Sequence, residues 1–183
     1  REALTEAAPG CAIVPVEHVT EGAACTVLLA KEYIDSGDPL MLANSDQWVD
    51  VDIDDYLASM ERQRADGLIM TMKAEDPKWS FVGLDRKRLV RRVVEKEAIS
   101  DEATVGIYNF RRGFDFVRAA EQMIARDLRV NNEFYVAPVY NQLIEEGARI
   151  AIYNVGREGA GMYGLGIPSD LERFLAGPVS QAP

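Results

Sequence analysis

The 183-residue chain is poor in several residue types, and each scarcity excludes something. Two cysteines, Cys11 and Cys25, are too few for a disulfide framework and lack the spacing of a zinc site. A reduced, cytoplasmic protein is the expectation. The single histidine, His18, has no second histidine or cysteine nearby and reads as a loop residue rather than a metal ligand. Positive charge is in deficit, with Lys+Arg 20 against Asp+Glu 30 and a net charge of -10. Such a surface repels the phosphate backbone, which argues against nucleic acid as a partner. It also repels free nucleotides, which would need a divalent cation to dock. No apolar run approaches the roughly 20 residues of a membrane span, so no membrane partner is expected. There is no charged-then-apolar leader pattern, and the first residue is not Met. The chain is therefore expected to start inside a longer gene product.

What is present is ordinary for a globular protein: 48% hydrophobic and 27% charged residues, enough to bury one core. No repeat or Pro/Gly-rich linker divides the chain. One domain over 1–176 is expected, with 177–183 as a frayed tail.

Short β-type runs alternate with helical patterns, the signature of an α/β fold. "CAIVPV" predicts a first strand, and Thr20 a cap for a helix carrying Ala23, Val27, Ala30 and Ile34 on one face. "SGDP" ends that helix and leads into the strand "LMLANSD". Ile53, Leu57 and Met60 predict one face of the next helix. "GLIMTMK" is a strand, "WSFVGLD" and "RLVRRVVEK" a hairpin, and "ATVGIYNF" another strand. Val117, Ala120 and Ile124 mark a helix, Pro138 to Gly147 a further one, and "RIAIYNV" a strand. Gly161, Gly164 and Gly166 predict a tight turn into "PSDLERFL", where Ser169 and Glu172 fit a capping box.

The candidate chemistry starts where the apolar run Leu40–Ala43 ends in Asn44-Ser45-Asp46, followed by Asp50, Asp52, Asp54 and Asp55. A carboxylate at a strand end suits a hard cation such as Mg²⁺, which takes one or two such oxygens plus phosphate and water. The "DVD" of Asp50 to Asp52 also matches how sugar-transferring enzymes grip a nucleotide-bound metal. Equally, these four later carboxylates fit a solvated loop and helix start. In "VVEKE", Glu95 can accept hydrogen bonds from sugar hydroxyls and Lys96 can hold a phosphate. Gly22, Ala23 and Ala24 are small residues at a helix start, suited to close approach of a flat ring or phosphate, or to tight packing on the sheet.

In order, "TEGAACTVLLA", "LMLANSD", "VVEK", "TVGIYNF", "NNEFYVAPVYNQLI" and "GLGIPSDLERF" resemble the successive blocks of the sugar-phosphate nucleotidyltransferases. The bacterial members associated with capsule and surface polysaccharide are the most similar, and the resemblance spans Val14 to Phe174. It implies a three-layer Rossmann-like, glycosyltransferase-A-like fold with a mixed sheet, N-terminally incomplete. It implies Mg²⁺-dependent transfer of a nucleotidyl group from an NTP to a sugar 1-phosphate, releasing pyrophosphate. By the same resemblance Asp46 is the metal-binding aspartate, Glu95 contacts the sugar and Lys96 its phosphate. Gly106 is the glycine of the sugar-side strand, and Gly22 and Ala23 lie beside the nucleobase. Two departures stand out. The family's glycine-rich triphosphate loop with its Pro-Lys is not in this sequence, and Gly164 stands where many members carry a second metal-binding aspartate. Relatives also act on other phosphorylated acceptors such as phosphocholine. Two other readings remain: a degenerate domain that binds nucleotide or sugar phosphate without catalysis, and a glycosyltransferase using Asp50 and Asp52. An incomplete sheet would expose an edge strand, so self-association is a further expectation.

Overall fold

The computed structural model describes residues 2–181; Arg1, and Ala182 and Pro183 of the expected frayed tail, lie outside the described residues. In chain order, helices α1 (Glu2–Ala7), α2 (Ala23–Leu28) and α3 (Lys31–Ile34) precede strands β1 (Leu40–Ala43) and β2 (Gln47–Val49). Helix α4 (Ile53–Arg62) leads to strands β3 (Gly67–Lys73), β4 (Ser80–Leu84), β5 (Val90–Glu95) and β6 (Glu102–Phe110). Then come α5 (Gly113–Ala125), α6 (Tyr140–Glu145), β7 (Ile150–Glu158), β8 (Gly161–Gly164) and α7 (Pro168–Leu175). No helix among the described residues is long and apolar enough to cross a membrane.

The eight strands form one sheet in the order β2-β8-β7-β3-β6-β4-β5, with β1 also paired to β6. β3 runs parallel to β7 and antiparallel to β6, so the sheet is mixed. Its centre follows from the sequence pattern. β3 is apolar from Leu68 to Met70 and again at Met72 because both its faces are covered: Ile69 enters one core, and Leu68, Met70 and Met72 the other. The first core packs α2, α5 and α6 against the sheet through Ala24, Phe116, Val117, Tyr140 and Leu143. The second packs α4 on the opposite face through Tyr56 and Met60. The expected three-layer α/β fold is thus the one adopted.

Several local expectations are corrected. Cys11–Val16 forms no strand: Pro15 lacks an N–H for a ladder, and β1 pairs only with β6 among the described residues. The helix expected across Ala23 to Ile34 is broken into α2 and α3, because Leu29 N–H bonds Thr26 O at 3.2 Å and Ala30 N–H bonds Val27 O at 2.9 Å, a tighter turn than the α ladder. Thr20 does not cap α2; Gly22 holds the capping position, and the Thr20 hydroxyl pairs with Thr26 Oγ1 at 2.6 Å. In α4, Ile53 and Leu57 face solvent while Tyr56, Ser59 and Met60 are buried. Tyr56 sets that face, donating its hydroxyl to Asn109 Oδ1 at 2.5 Å and packing edge-on against Tyr153. Ser169 makes no capping bond, since Pro168 takes the first helical position and Ile167 the cap. Gly161 to Gly164 is strand β8 rather than part of a turn.

Candidate active site

The chain leaving β1 turns through Asn44-Ser45-Asp46 into β2, and this turn is locked onto β6 at Gly106. Asn44 N–H donates to Gly106 O at 3.0 Å. Gly106 has φ +78°, and a Cβ there would overlap the Asn44 side-chain amide. Only glycine meets both demands. The β3–β6 register shifts between Ile69 and Thr71, near this point.

Beside Gly106 opens a polar cavity of about 310 Å³. Ala23, Glu95 and Gly106 line it, together with Asn44, Gln47, Lys78, Trp79, Ser80, Thr104, Tyr108 and Tyr135, to none of which the sequence had assigned a site role. Two of these carry the clearest sign of a ligand site. Gln47 Nε2 and Trp79 Nε1 are buried donors without a hydrogen-bond partner among the described residues. An unmade bond of this kind costs about 1–3 kcal/mol, which a ligand oxygen would relieve.

Glu95 ends β5, buried to 9% exposure, and accepts a hydrogen bond from the Ser80 hydroxyl. Burial pushes its carboxyl above the ordinary value of 4.5, against the opposing effects of Ser80 and Lys96. Tyr108 is pushed up to about 12 by burial and shares a 3.0 Å hydrogen bond with Thr104 Oγ1, so it stays protonated beside the cavity. Lys96 follows with φ +57°, which turns the exposed side chain out of the strand. Its Nζ donates to Tyr135 Oη at 2.8 Å, a bond that, with Glu95 and Glu133 nearby, raises its pKa. Lys96 stands next to the cavity without lining it.

Asp46 likewise lies outside the lining, between Asn44 and Gln47 in the chain, exposed. Its carbonyl accepts from Leu165 N–H at 2.8 Å, and a Cβ on Gly166 would stand 2.8 Å from Asp46 Oδ2. The carboxylate therefore rests against the Gly164–Gly166 segment, and no donor among the described residues holds it. No group of three or more His, Cys, Asp or Glu among the described residues is arranged for a metal. A lone free carboxylate fits a hard cation that draws its other ligands from phosphate and water. Asp170, in the first turn of α7, also approaches this segment, its Oδ2 being 3.5 Å from where a Gly164 Cβ would lie.

Gly22 is drawn elsewhere. Its bare Cα is covered by the Phe134 backbone, which a Cβ would meet at 2.5 Å, and Ala24 N–H bonds Phe134 O at 2.9 Å. The α2 start is thus closed at Gly22 and Ala24, leaving Ala23 on the cavity. Two of the four later carboxylates of the acidic stretch have structural duties, while those of Asp50 and Asp54 have no partner among the described residues. Asp52 caps α4 through the Asp54 and Asp55 N–H groups at 3.0 and 3.2 Å, and Asp55 pairs with Arg62 and Tyr153.

No protein-family model and no curated protein matches the chain. Solved structures do. The nucleoside-diphosphate-sugar pyrophosphorylase from Vibrio cholerae RC9 is 27% identical with a TM-score of 0.73, over 88% of this chain and 68% of that one. A UDP-glucose pyrophosphorylase complexed with UDP-glucose is 14% identical with a TM-score of 0.74, over 91% and 65%. A Bacillus anthracis protein assigned as a glucose-1-phosphate thymidylyltransferase, in complex with sucrose, is 18% identical with a TM-score of 0.66, over 87% and 61%. The chain thus spans about two thirds of the length of each, and its fold is that of the nucleotide-sugar pyrophosphorylases and related nucleotidyltransferases.

Proposed function

We propose that the native protein transfers a nucleotidyl group from an NTP to a sugar 1-phosphate or a related phosphorylated acceptor, releasing pyrophosphate. The observation that carries this reading is the polar cavity that gathers Ala23, Glu95 and Gly106 beside Asp46 and Lys96, within a fold shared with pyrophosphorylases. Its unpartnered Gln47 and Trp79 donors and its acceptor Glu95 suit a ligand rich in hydroxyls.

The roles follow from charge. An oxygen of the acceptor phosphate attacks the α-phosphorus of the NTP, the α–β phosphoanhydride bond breaks, and its electron pair leaves with pyrophosphate. Alignment and neutralisation of charge are what the protein has to supply. Lys96 exchanges its Tyr135 partner for the acceptor phosphate. Glu95 accepts from acceptor hydroxyls. Asp46 would hold a Mg²⁺ ion, which would supply charge shielding between the phosphates and this acidic chain. Gly22 shapes the site by letting residues 133–135 close over α2, and Ala23 borders the nucleotide. The glycine-rich loop of the resembled family is not in this sequence, so turnover is expected of a longer chain carrying it and not of these 183 residues. NTPs and sugar phosphates are cytoplasmic metabolites, and we place the protein there, making precursors of surface polysaccharide. Without the loop, the reading becomes a domain that binds these ligands without turnover.

The test is Mg²⁺-dependent pyrophosphate release by the longest native chain against a matrix of NTPs and sugar 1-phosphates. Asp46→Asn and Lys96→Ala should each lower kcat/KM by about 100-fold or more, as losses of groups aligned on developing charge do. Asp52→Ala should leave the chemistry intact and cost about 1 kcal/mol of stability through its helix cap. If no pyrophosphate is released but the chain transfers sugar from an NDP-sugar with Mg²⁺, and Asp50→Ala or Asp52→Ala abolishes that transfer while Asp46→Asn retains it, the glycosyltransferase reading takes over.

A further inference from the structure

The outer side of the β5 edge faces a second concavity, a groove of about 540 Å³ between β5, the end of α5 and α6. Four arginines line it: Arg91, Arg92, Arg126 and Arg129, against two carboxylates, Glu95 and Glu145. In a chain of net charge -10 this is a local reversal of sign. The adjoining turn deepens it, since five of the seven residues Arg86–Arg92 are basic. Met123, Leu128 and Ile144 give the same groove an apolar floor.

Clustered guanidinium groups repel one another, and an ordinary surface would disperse or neutralise them. Three are engaged by neighbours. Arg91 Nε and Nη2 both donate to Asp85 Oδ2, at 2.9 and 2.6 Å. Arg126 Nη1 donates to Gln142 Oε1 at 2.6 Å and Glu145 Oε2 at 2.7 Å, and Arg129 pairs with Glu21 at 2.6 Å and Asp127 at 2.5 Å. Of these pairs only Arg126–Glu145 joins two exposed side chains, and an exposed pair holds weakly, so an incoming anion displaces it easily. Arg92 is exposed and has no polar partner among the described residues. A planar guanidinium left free offers two parallel donors to a phosphate.

The edge itself points to a small ligand rather than an added strand. Val93 N–H and C=O are both taken by the Asn141 side-chain amide, at 2.8 Å each, which closes β5 at that point to strand addition. Volume and lining, an apolar floor under a cationic rim, fit a small organic phosphate. One residue joins this groove to the cavity described above: Glu95 lines both.

We propose that the arginine groove is a second binding site, separate from the candidate active site, that takes a small organic phosphate and reports its occupancy through Glu95 at the shared wall. The phosphate sits on Arg92 and Arg126 and the organic part on the apolar floor. A metabolite bound here would tune acceptor binding from outside the cavity.

The probe is phenyl phosphate, titrated by calorimetry into the longest native chain without divalent cations, with inorganic phosphate at matched ionic strength as control. Wild type should bind it more tightly than inorganic phosphate. Arg92→Glu, a change at an exposed unpartnered position, should weaken binding about tenfold or more while leaving the melting temperature unchanged. Lys96→Ala should bind as wild type does, and amide resonances of Glu95 should shift on titration in both. Arg126→Ala serves as the second groove variant. Undiminished binding by Arg92→Glu and Arg126→Ala, loss of binding in Lys96→Ala, or no binding by wild type would each overturn the proposal. None of these outcomes depends on catalysis, so failure here is distinct from failure of the transferase reading.

Discussion

Glu102, at the start of β6, offers a test of what ties the sheet together. It is 2% exposed, yet its carboxylate accepts from four side chains on three parts of the fold. Oε2 takes Thr71 Oγ1 at 2.9 Å and Asn154 Nδ2 at 2.8 Å. Oε1 takes Lys73 Nζ at 2.9 Å and Arg88 Nη2 at 3.1 Å. Those hydrogen bonds hold its pKa below the ordinary 4.5 even though burial alone would raise it. Every contact is a donor facing an oxygen, so Glu102→Gln must turn an NH₂ group toward either two cations or an amide and a hydroxyl. Glu102→Ala removes all four acceptor contacts. Removing one partner of a buried charge pair costs about 3–5 kcal/mol. Here Lys73 and Arg88 are half-exposed and Lys73 keeps Asp101 at 2.8 Å, so both cations can rehydrate. We therefore expect about 2–4 kcal/mol for Glu102→Ala, with Glu102→Gln only slightly milder. Urea denaturation followed by circular dichroism measures it, and for a chain of this size 3 kcal/mol lowers Tm by about 6–12 °C. The pH dependence supplies a second check. Because the folded pKa lies below the unfolded one, this contribution is complete above 4.5 and disappears as pH falls through the folded value. The wild type should lose its advantage over Glu102→Ala on that acid limb. A loss under about 1 kcal/mol at neutral pH, or an advantage that persists in acid, refutes the reasoning.

Two further predictions concern the cavity. Glu95 has the opposite sign: its folded pKa is raised, so the favourable contribution is present below 4.5 and lost as pH rises through the folded value. Glu95→Gln should then equal or exceed wild type in stability at pH 7 while weakening acceptor binding; denaturation and calorimetry check the two halves, and destabilisation beyond about 1 kcal/mol contradicts the first. Gly106→Ala forces a side chain into φ +78° and against Asn44, and should cost about 1–3 kcal/mol by thermal denaturation. Repeating it in an Asn44→Ala background should recover part of the loss, because only the backbone strain remains.

How much of this was legible in the sequence varies by element. β3 and β6 were readable because strands covered on both faces are mostly apolar without alternation, and the β4–β5 hairpin because "DRKR" separates two β-type runs. The helix expected from Pro138 to Gly147 was readable in part from its start and stop residues: a 3₁₀ turn over Ala137–Val139 runs into α6, which ends at Glu145. The face of α4 was not, because Ile53 and Leu57 follow the helical period yet Tyr56 finds its partners on β6 and β7, far along the chain. The cavity was half legible. Glu95 and Gly106 stand in recognisable blocks, whereas Gln47 and Trp79 stand outside them and carry no pattern of their own.

Composition and period are legible one residue after another: an acidic α/β chain with central strands buried on both faces and a carboxylate at the exit of one strand. Local residue types suffice for that, since turns, caps and apolar runs act over a few positions. Which carboxylates are free and which are bonded depends on contacts between distant segments. Asp46 is left without a donor and Asp52 is spent on a helix cap, while Glu95 is buried between two cavities and Glu102 is clamped by four donors. Identical side-chain chemistry acquires these different roles from what packs around it, and that packing joins residues tens of positions apart.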